Sequence, residues 1–142
     1  MRTTILLLTS ALLAAPLFAD RKAIQPKEFP GGRPFSPAIL SGGTLYVAGQ
    51  IGRDLKSNQV PSEFEAEVKV CLDNIGIILK EAGMGFDDVV TVNVYLTDMD
   101  LFERMNKVYV TYFKDPRPAR TTVGVTRLAG PAKIEITVTA RK

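Results

Sequence analysis

The chain has 142 residues, 18 Lys and Arg against 15 Asp and Glu, a single cysteine and no histidine. Its formal charge of +3 is small and scattered, unlike the concentrated basic stripe of a nucleic-acid-binding protein. The missing histidine excludes Ser-His-Asp and Cys-His catalysis, histidine cleavage of RNA and His-based zinc sites, so chemistry falls to carboxylates, Arg, Lys, Tyr, hydroxyls, backbone amides or a bound cofactor.

In chain order, Arg2, the apolar run over residues 5–13 and Pro16-Leu17-Phe18-Ala19 ahead of Asp20-Arg21-Lys22 follow the plan of a cleavable secretory leader. The run is short for a membrane span of about 20 residues. A leader over 1–19, a single domain over 20–142, a periplasmic or secreted location and no membrane partner are therefore expected. Residues 20–33 carry Pro26, Pro30, Gly31 and Gly32 and read as an extended lead-in. Gly42-Gly43 between Ala38-Ile39-Leu40 and Leu45-Tyr46-Val47 signals a hairpin, since both glycines tolerate positive φ. Gly49-Gln50-Ile51-Gly52 leaves the second strand as a turn; no Gly-Lys-Ser/Thr follows, so it is not a phosphate loop.

Ser62 and Glu65 have capping-box spacing, and Phe64, Val68, Cys71, Leu72, Ile75 and Leu79 recur at helical intervals up to Gly83. Cys71 on that stripe reads as a buried, inert thiol. A strand follows over 89–96. A second helix runs from near Asp98 or Asp100 to Phe113, stopped by Pro116 and Pro118. Strands over 121–128 and 134–140 complete an α+β layout, two helices on one face of a mixed sheet. Val and Ile on both parities around Val123-Val125 and Ile134-Ile136-Val138 predict a second apolar face, which an oligomer would bury.

Two ionisable residues stand out on the last strands. Arg120, in Pro118-Ala119-Arg120-Thr121-Thr122, is a permanent fork suited to a planar carboxylate, and Glu135, in Lys133-Ile134-Glu135-Ile136, is able to manage a water or a proton. Taken alone, Arg and Glu on strands more often make a solvated face or a structural ion pair.

Six ordered blocks carry a resemblance: Pro34-Phe35-Ser36-Pro37-Ala38, Leu45-Tyr46-Val47-Ala48-Gly49-Gln50, Leu72-Asp73-Asn74-Ile75, Met105-Asn106-Lys107-Val108-Tyr109, Pro118-Ala119-Arg120-Thr121-Thr122-Val123 and Lys133-Ile134-Glu135-Ile136. Over residues 24–141 the chain resembles the Rid family of reactive intermediate deaminases, also known as the YjgF or L-PSP endoribonuclease family. The resemblance implies a chorismate-mutase-like fold, a homotrimer with clefts between subunits, and cofactor- and metal-free hydrolysis of enamines and imines such as 2-aminoacrylate to 2-keto acids and ammonia. It implies that Arg120 holds the substrate carboxylate and Glu135 positions water, with supporting positions at Phe35, Ala48, Gly49, Asn106 and Thr122. Small imino and keto acid carboxylates are then the partners. Phe35 stands where many members carry Tyr, Ala48 where Ser is frequent, Thr122 where Cys or another small residue occurs, and Thr137 replaces a second Glu. These losses of polar groups keep a non-catalytic carboxylate-binding module open as an alternative. An endoribonuclease is a third reading, against which the missing histidine and basic stripe weigh.

The mature chain from an exported fraction is expected to begin at Asp20, which N-terminal sequencing checks; an intact Met1 in the purified protein overturns the leader.

Overall fold

The computed structural model describes residues 20–142, so the leader expected over residues 1–19 lies outside the described residues. The elements follow as β1 (Lys22–Ile24), β2 (Ala38–Ser41), β3 (Thr44–Val47), β4 (Gln50–Ile51), α1 (Phe64–Glu81), β5 (Val89–Leu96), α2 (Phe102–Tyr112), β6 (Ala119–Gly124) and β7 (Ile134–Arg141). One mixed sheet runs in the order β1-β2-β3-β7-β5-β6, with β4 added to β7. Both helices pack on one face, as the α+β layout requires. Among the described residues no helix is long and apolar enough to cross a membrane.

Local sequence accounts for much of this. Gly42 and Gly43 sit at φ 56° and 76°, the pair of positive angles that a tight β2–β3 hairpin turn needs. Gly83, at φ 70°, closes α1: its N–H donates to Lys80 O at 2.9 Å, and the Met84 N–H to Leu79 O at 2.8 Å. Asp98 accepts the Asp100 N–H at 2.9 Å and opens the short helical turn that leads into α2. α2 is the crossover that lets β5 and β6 run parallel.

The core lies between the helices and the sheet. Ile134, Ile136, Val138 and Ala140 of β7 and Val92, Val94 and Leu96 of β5 meet Val68, Cys71, Leu72, Ile75, Ile78 and Leu79 of α1. A register shift between Val89 and Thr91 leaves Val90 as the extra residue, so Val89 also turns inward.

Four local expectations are corrected. Residues 22–24 of the lead-in pair with β2 as a strand. The capping box does not form: α1 begins at Phe64 with Glu63 as its cap residue, and Glu65 is held by Arg104 through two contacts of 2.7 and 2.6 Å. That long-range bidentate pair outcompetes the local bond to the chain end, and it lowers the Glu65 pKa to about 2. β6 begins two residues early and stops at Gly124, beyond which only the Val125 N–H to Leu96 O bond continues along β5. The second sheet face is not the Val/Ile surface expected. Ile134, Ile136 and Val138 share one parity and all face the helices, so the open face carries Thr91, Asn93, Thr121, Thr137 and Thr139 with Tyr46, Tyr95 and Val123. It is mixed, with Tyr46 and Val123 exposed.

Glu67 is the charged residue set deepest in this core, with no exposed surface. Its Oε1 accepts the N–H groups of Lys133 at 2.6 Å and Ile134 at 3.2 Å, tying α1 to the entrance of β7, while Oε2 has no hydrogen-bond partner. Burial raises its pKa, against the pull of those two N–H groups. Glu67→Ala is expected to destabilise the fold by about 2–4 kcal/mol, leaving a void and two unpaired donors, and Glu67→Gln by much less. The fold holds this proton more tightly than the unfolded chain. Glu67 therefore adds stability below the ordinary glutamate pKa and loses it as pH rises through the raised value, a dependence that Glu67→Gln removes in denaturant titrations.

Candidate active site

Strand register decides where the two singled-out residues point. Arg120 on β6 lies opposite Val92 of β5, which lies opposite Val138 of β7. That line of side chains faces the helices. Glu135 lies opposite Tyr95, three positions further along β5, and therefore leaves the sheet on the open face. Arg120 and Glu135 of one chain project on opposite sides of one sheet and line separate cavities.

Arg120 sits half-buried on the edge strand over α2. Its guanidinium carbon is 4.5 Å from the Tyr109 ring centre and 5.5 Å from that of Phe102, and Nη1 is 3.9 Å from Met105 Sδ. These contacts fix the plane of the fork by aromatic stacking and leave its strong donors without a carboxylate among the described residues. The Tyr109 hydroxyl is buried beside it without a well-formed hydrogen bond. Burial raises the Tyr109 pKa, and the Arg120 charge pulls it back. Asn106, Tyr109, Val110, Arg117, Pro118 and Arg120 line an open cavity of about 460 Å³. Arg117 is paired with Asp115 at 3.0 Å, so Arg120 is the cation left for an anion there.

Glu135 lies against Gly49 in the turn between β3 and β4. A Cβ on Gly49 would fall on the Glu135 carboxylate, so the bare backbone is what lets that carboxylate sit there. Phe29, Arg33, Phe35, Gly49, Gln50, Arg53, Asn74 and Glu135 are among the residues around this second cavity, of about 330 Å³. Both volumes suit a small organic acid.

Of the seven residues singled out in the sequence, the structure thus brings Asn106 to Arg120, and Phe35 and Gly49 to Glu135. It does not bring the two groups together within one chain. Ala48 stands beside Gly49 outside the cavity wall, its N–H given to Pro37 O at 2.9 Å and its carbonyl taken by Gln50 Nε2 at 2.9 Å. Both of its backbone groups are committed, so Ala48 shapes the turn. Thr122 lies on the Arg120 side opposite Val94, outside the wall of that cavity, with a buried hydroxyl that has no hydrogen-bond partner.

Sequence reasoning missed Arg33, Arg53, Gln50 and Asn74. Asn74 donates to Arg53 O at 2.9 Å and Ile51 O at 3.4 Å, and so holds the floor of the Glu135 cavity. Its signal was an amide inside the apolar stripe of α1, between Leu72 and Ile75, where a buried polar side chain needs backbone partners. Cys71 donates to Gln50 O at 3.0 Å, and burial, then the Glu67 charge, push its thiol pKa far up, so it is an inert packing residue as expected.

A mixed sheet with both helices on one face, and an arginine and a glutamate offered to small-acid cavities, defines a class of small α+β proteins. Residues 26–142 match the endoribonuclease L-PSP family model, and the chain belongs to this family, also known as Rid or YjgF. It is 46% identical over 110 residues to a RutC family protein of Sulfurisphaera tokodaii, covering 77% of this chain and 88% of that one. It is 41% identical over 122 residues to the human 2-iminobutanoate/2-iminopropanoate deaminase, covering 84% of this chain and 89% of the human protein. The crystal structure of E. coli TdcF with bound serine superposes with a TM-score of 0.79 at 28% identity, covering 85% of this chain and 98% of TdcF.

Gly49→Ala is expected to leave stability within about 1 kcal/mol, since the group in the way is the mobile end of a side chain, yet to cut turnover roughly 10- to 100-fold by displacing Glu135. Thermal melts and kinetics on one preparation check both halves.

Proposed function

We propose that this protein hydrolyses 2-imino acids, and the enamines that tautomerise to them, to 2-keto acids and ammonia. The clefts lie where the β6–α2 side of one copy meets the Gly49–Glu135 side of the next in a homotrimer. The observation that carries this reading is the separation of Arg120 and Glu135 within a chain, each without an ion-pair partner among the described residues. A second copy is the simplest source of the missing half. The exposed Tyr46 and Val123 on the open face give that copy something to cover. The human relative's name supports the reaction class, and the bound serine in TdcF supports a small polar ligand.

In this reading Arg120 takes the substrate carboxylate in a two-point grip, turning a loose encounter into an oriented one. An enamine first gains a proton at carbon three and gives one up from its nitrogen to solvent, which makes it the imine. Water then adds at carbon two: its oxygen forms the new bond, the C=N electron pair moves to nitrogen, and Glu135 carries the water's proton to that nitrogen. The carbinolamine collapses when Glu135 takes the hydroxyl proton and returns it to the amino nitrogen, the oxygen's electron pair forms the C=O bond, the C–N bond breaks, and ammonia leaves behind a ketone. Atoms balance with water as the other reactant. The leader-like residues 1–19 set this reaction in the periplasm or outside the cell.

The non-catalytic binding module stays as a second reading because Phe35 puts a bare ring, 52% exposed, at the Glu135 cavity. Glu135→Gln decides between the two. It is expected to lower turnover of an oxidase-generated imine by about 10²- to 10⁴-fold while pyruvate binding holds, whereas a binding module shows no turnover to lose.

Subunit mixing tests the shared cleft. Arg120→Ala and Glu135→Gln proteins are each expected to be nearly inactive, and equal mixtures, unfolded and refolded together, to recover about one quarter of the wild-type rate, the fraction of clefts that draw both intact residues from different copies. No recovery in mixtures that light scattering shows to be trimeric overturns the shared cleft.

A further inference from the structure

We infer that the Glu135 cavity selects 2-imino acids bearing a second acidic group, and that Arg33 is the residue that reads it. This rests on the deaminase reading and adds a substrate class to it. Two arginines, Arg33 and Arg53, line the cavity together with one glutamate, Glu135, so its lining carries a net positive charge. The two cations are not equivalent. Arg53 is turned back to its own loop, Nη1 donating to Asn58 O at 3.1 Å. Arg33 has neither a carboxylate nor a hydrogen-bonded partner among the described residues, and it is half-buried.

What holds Arg33 is aromatic. Its guanidinium carbon is 5.6 Å from the centre of the buried Phe29 ring and 5.8 Å from the centre of the exposed Phe35 ring. Contact with ring faces orients a guanidinium and consumes none of its N–H donors. A cation oriented in this way, in the same cavity lining as the proposed water-handling carboxylate, is set to receive an anion. A monocarboxylic imine offers one carboxylate, already assigned to Arg120, and leaves Arg33 unused. An imine derived from an acidic amino acid offers the second. Phe35 also gains a role that a tyrosine hydroxyl would not serve: a plain ring face under the guanidinium.

The experiment compares two imines generated in situ by amino acid oxidases, the imine of alanine and the imine of glutamate, on wild type, Arg33→Gln and Arg33→Lys. The wild type is expected to favour the glutamate imine by at least about tenfold in kcat/KM. Arg33→Gln is expected to abolish that preference by lowering kcat/KM for the glutamate imine at least about tenfold more than for the alanine imine, and Arg33→Lys to retain part of it. A wild type without preference, or an Arg33→Gln loss equal on both imines, overturns the inference. Calorimetric binding of 2-oxoglutarate and pyruvate separates this from the deaminase reading. If neither imine turns over yet 2-oxoglutarate binds more tightly than pyruvate, and only its binding weakens in Arg33→Gln, catalysis is refuted and the acid selectivity stands. Equal binding of the two keto acids refutes the selectivity whatever the kinetics show.

Discussion

β7 is bonded along both edges, to β5 over residues 134–140 and to β4 and then β3 on its other side. A strand held from both sides has no freedom to slip by one residue, because a one-residue slip would send its whole apolar set to solvent. Ile134, Ile136, Val138 and Ala140 are fully or nearly fully buried under the helices. Their burial fixes Glu135, Thr137 and Thr139 on the other face. The position of Glu135 is therefore dictated by the core on the reverse side of the same strand, and register pairing carries that decision through β5 to Arg120 on β6.

A small set of buried polar groups supports this register near the cavity. Glu67, Asn74 and the Cys71 thiol all reach from α1 to the backbone, at the entrance of β7 and along β4 and the residues that follow it. β4 is only two residues long, too short to hold itself by sheet bonds alone. Satisfying its carbonyls from α1 lets an irregular stretch survive at the edge of a packed core. The same contacts leave Gly49, immediately before β4, bare and fixed against Glu135. Gly52, immediately after β4, has no room for a side chain because Glu67 occupies it. One helix thus sets the shape of the Glu135 cavity without lending it a charged side chain.

Features governed by neighbours in sequence were legible before the fold was known. The Gly42-Gly43 hairpin, the strand over 89–96 and the Gly83 helix stop all depend on a few adjacent residues and appear as read, while the helix expected from near Asp98 or Asp100 opens there only as a short helical turn and becomes α2 at Phe102. What failed was governed by distance. The Ser62–Glu65 box looked complete locally, but Arg104, 39 positions on, claims Glu65. The apolar second face failed because Val125 falls beyond β6 and Ile134, Ile136 and Val138 share one parity, facts set by where strands end and how they pair. Among the site residues, Arg120 with Asn106 and Glu135 with Phe35 and Gly49 line cavities. Arg33 went unnoticed because a Pro- and Gly-punctuated lead-in reads as solvated loop, and nothing nearby in sequence shows that Phe29 and Phe35 flank its guanidinium.

The separation of Arg120 from Glu135 also has a thermodynamic sense on the proposed reading. Had both residues faced one cavity of one chain, the guanidinium and the carboxylate would sit close enough to neutralise each other, and a substrate carboxylate would have to displace that pair. Sending them to opposite faces prevents this within the chain. Each reaches a cleft with its charge uncompensated, Arg120 braced by Tyr109 and Phe102, Glu135 backed by bare glycine. On that reading the two groups share a cleft only across the seam between copies, with room for an imino acid between them, its carboxylate toward Arg120 and its C=N carbon toward Glu135. A sheet that forbids the internal ion pair is, in this sense, the feature that keeps the arginine available to a carboxylate from outside.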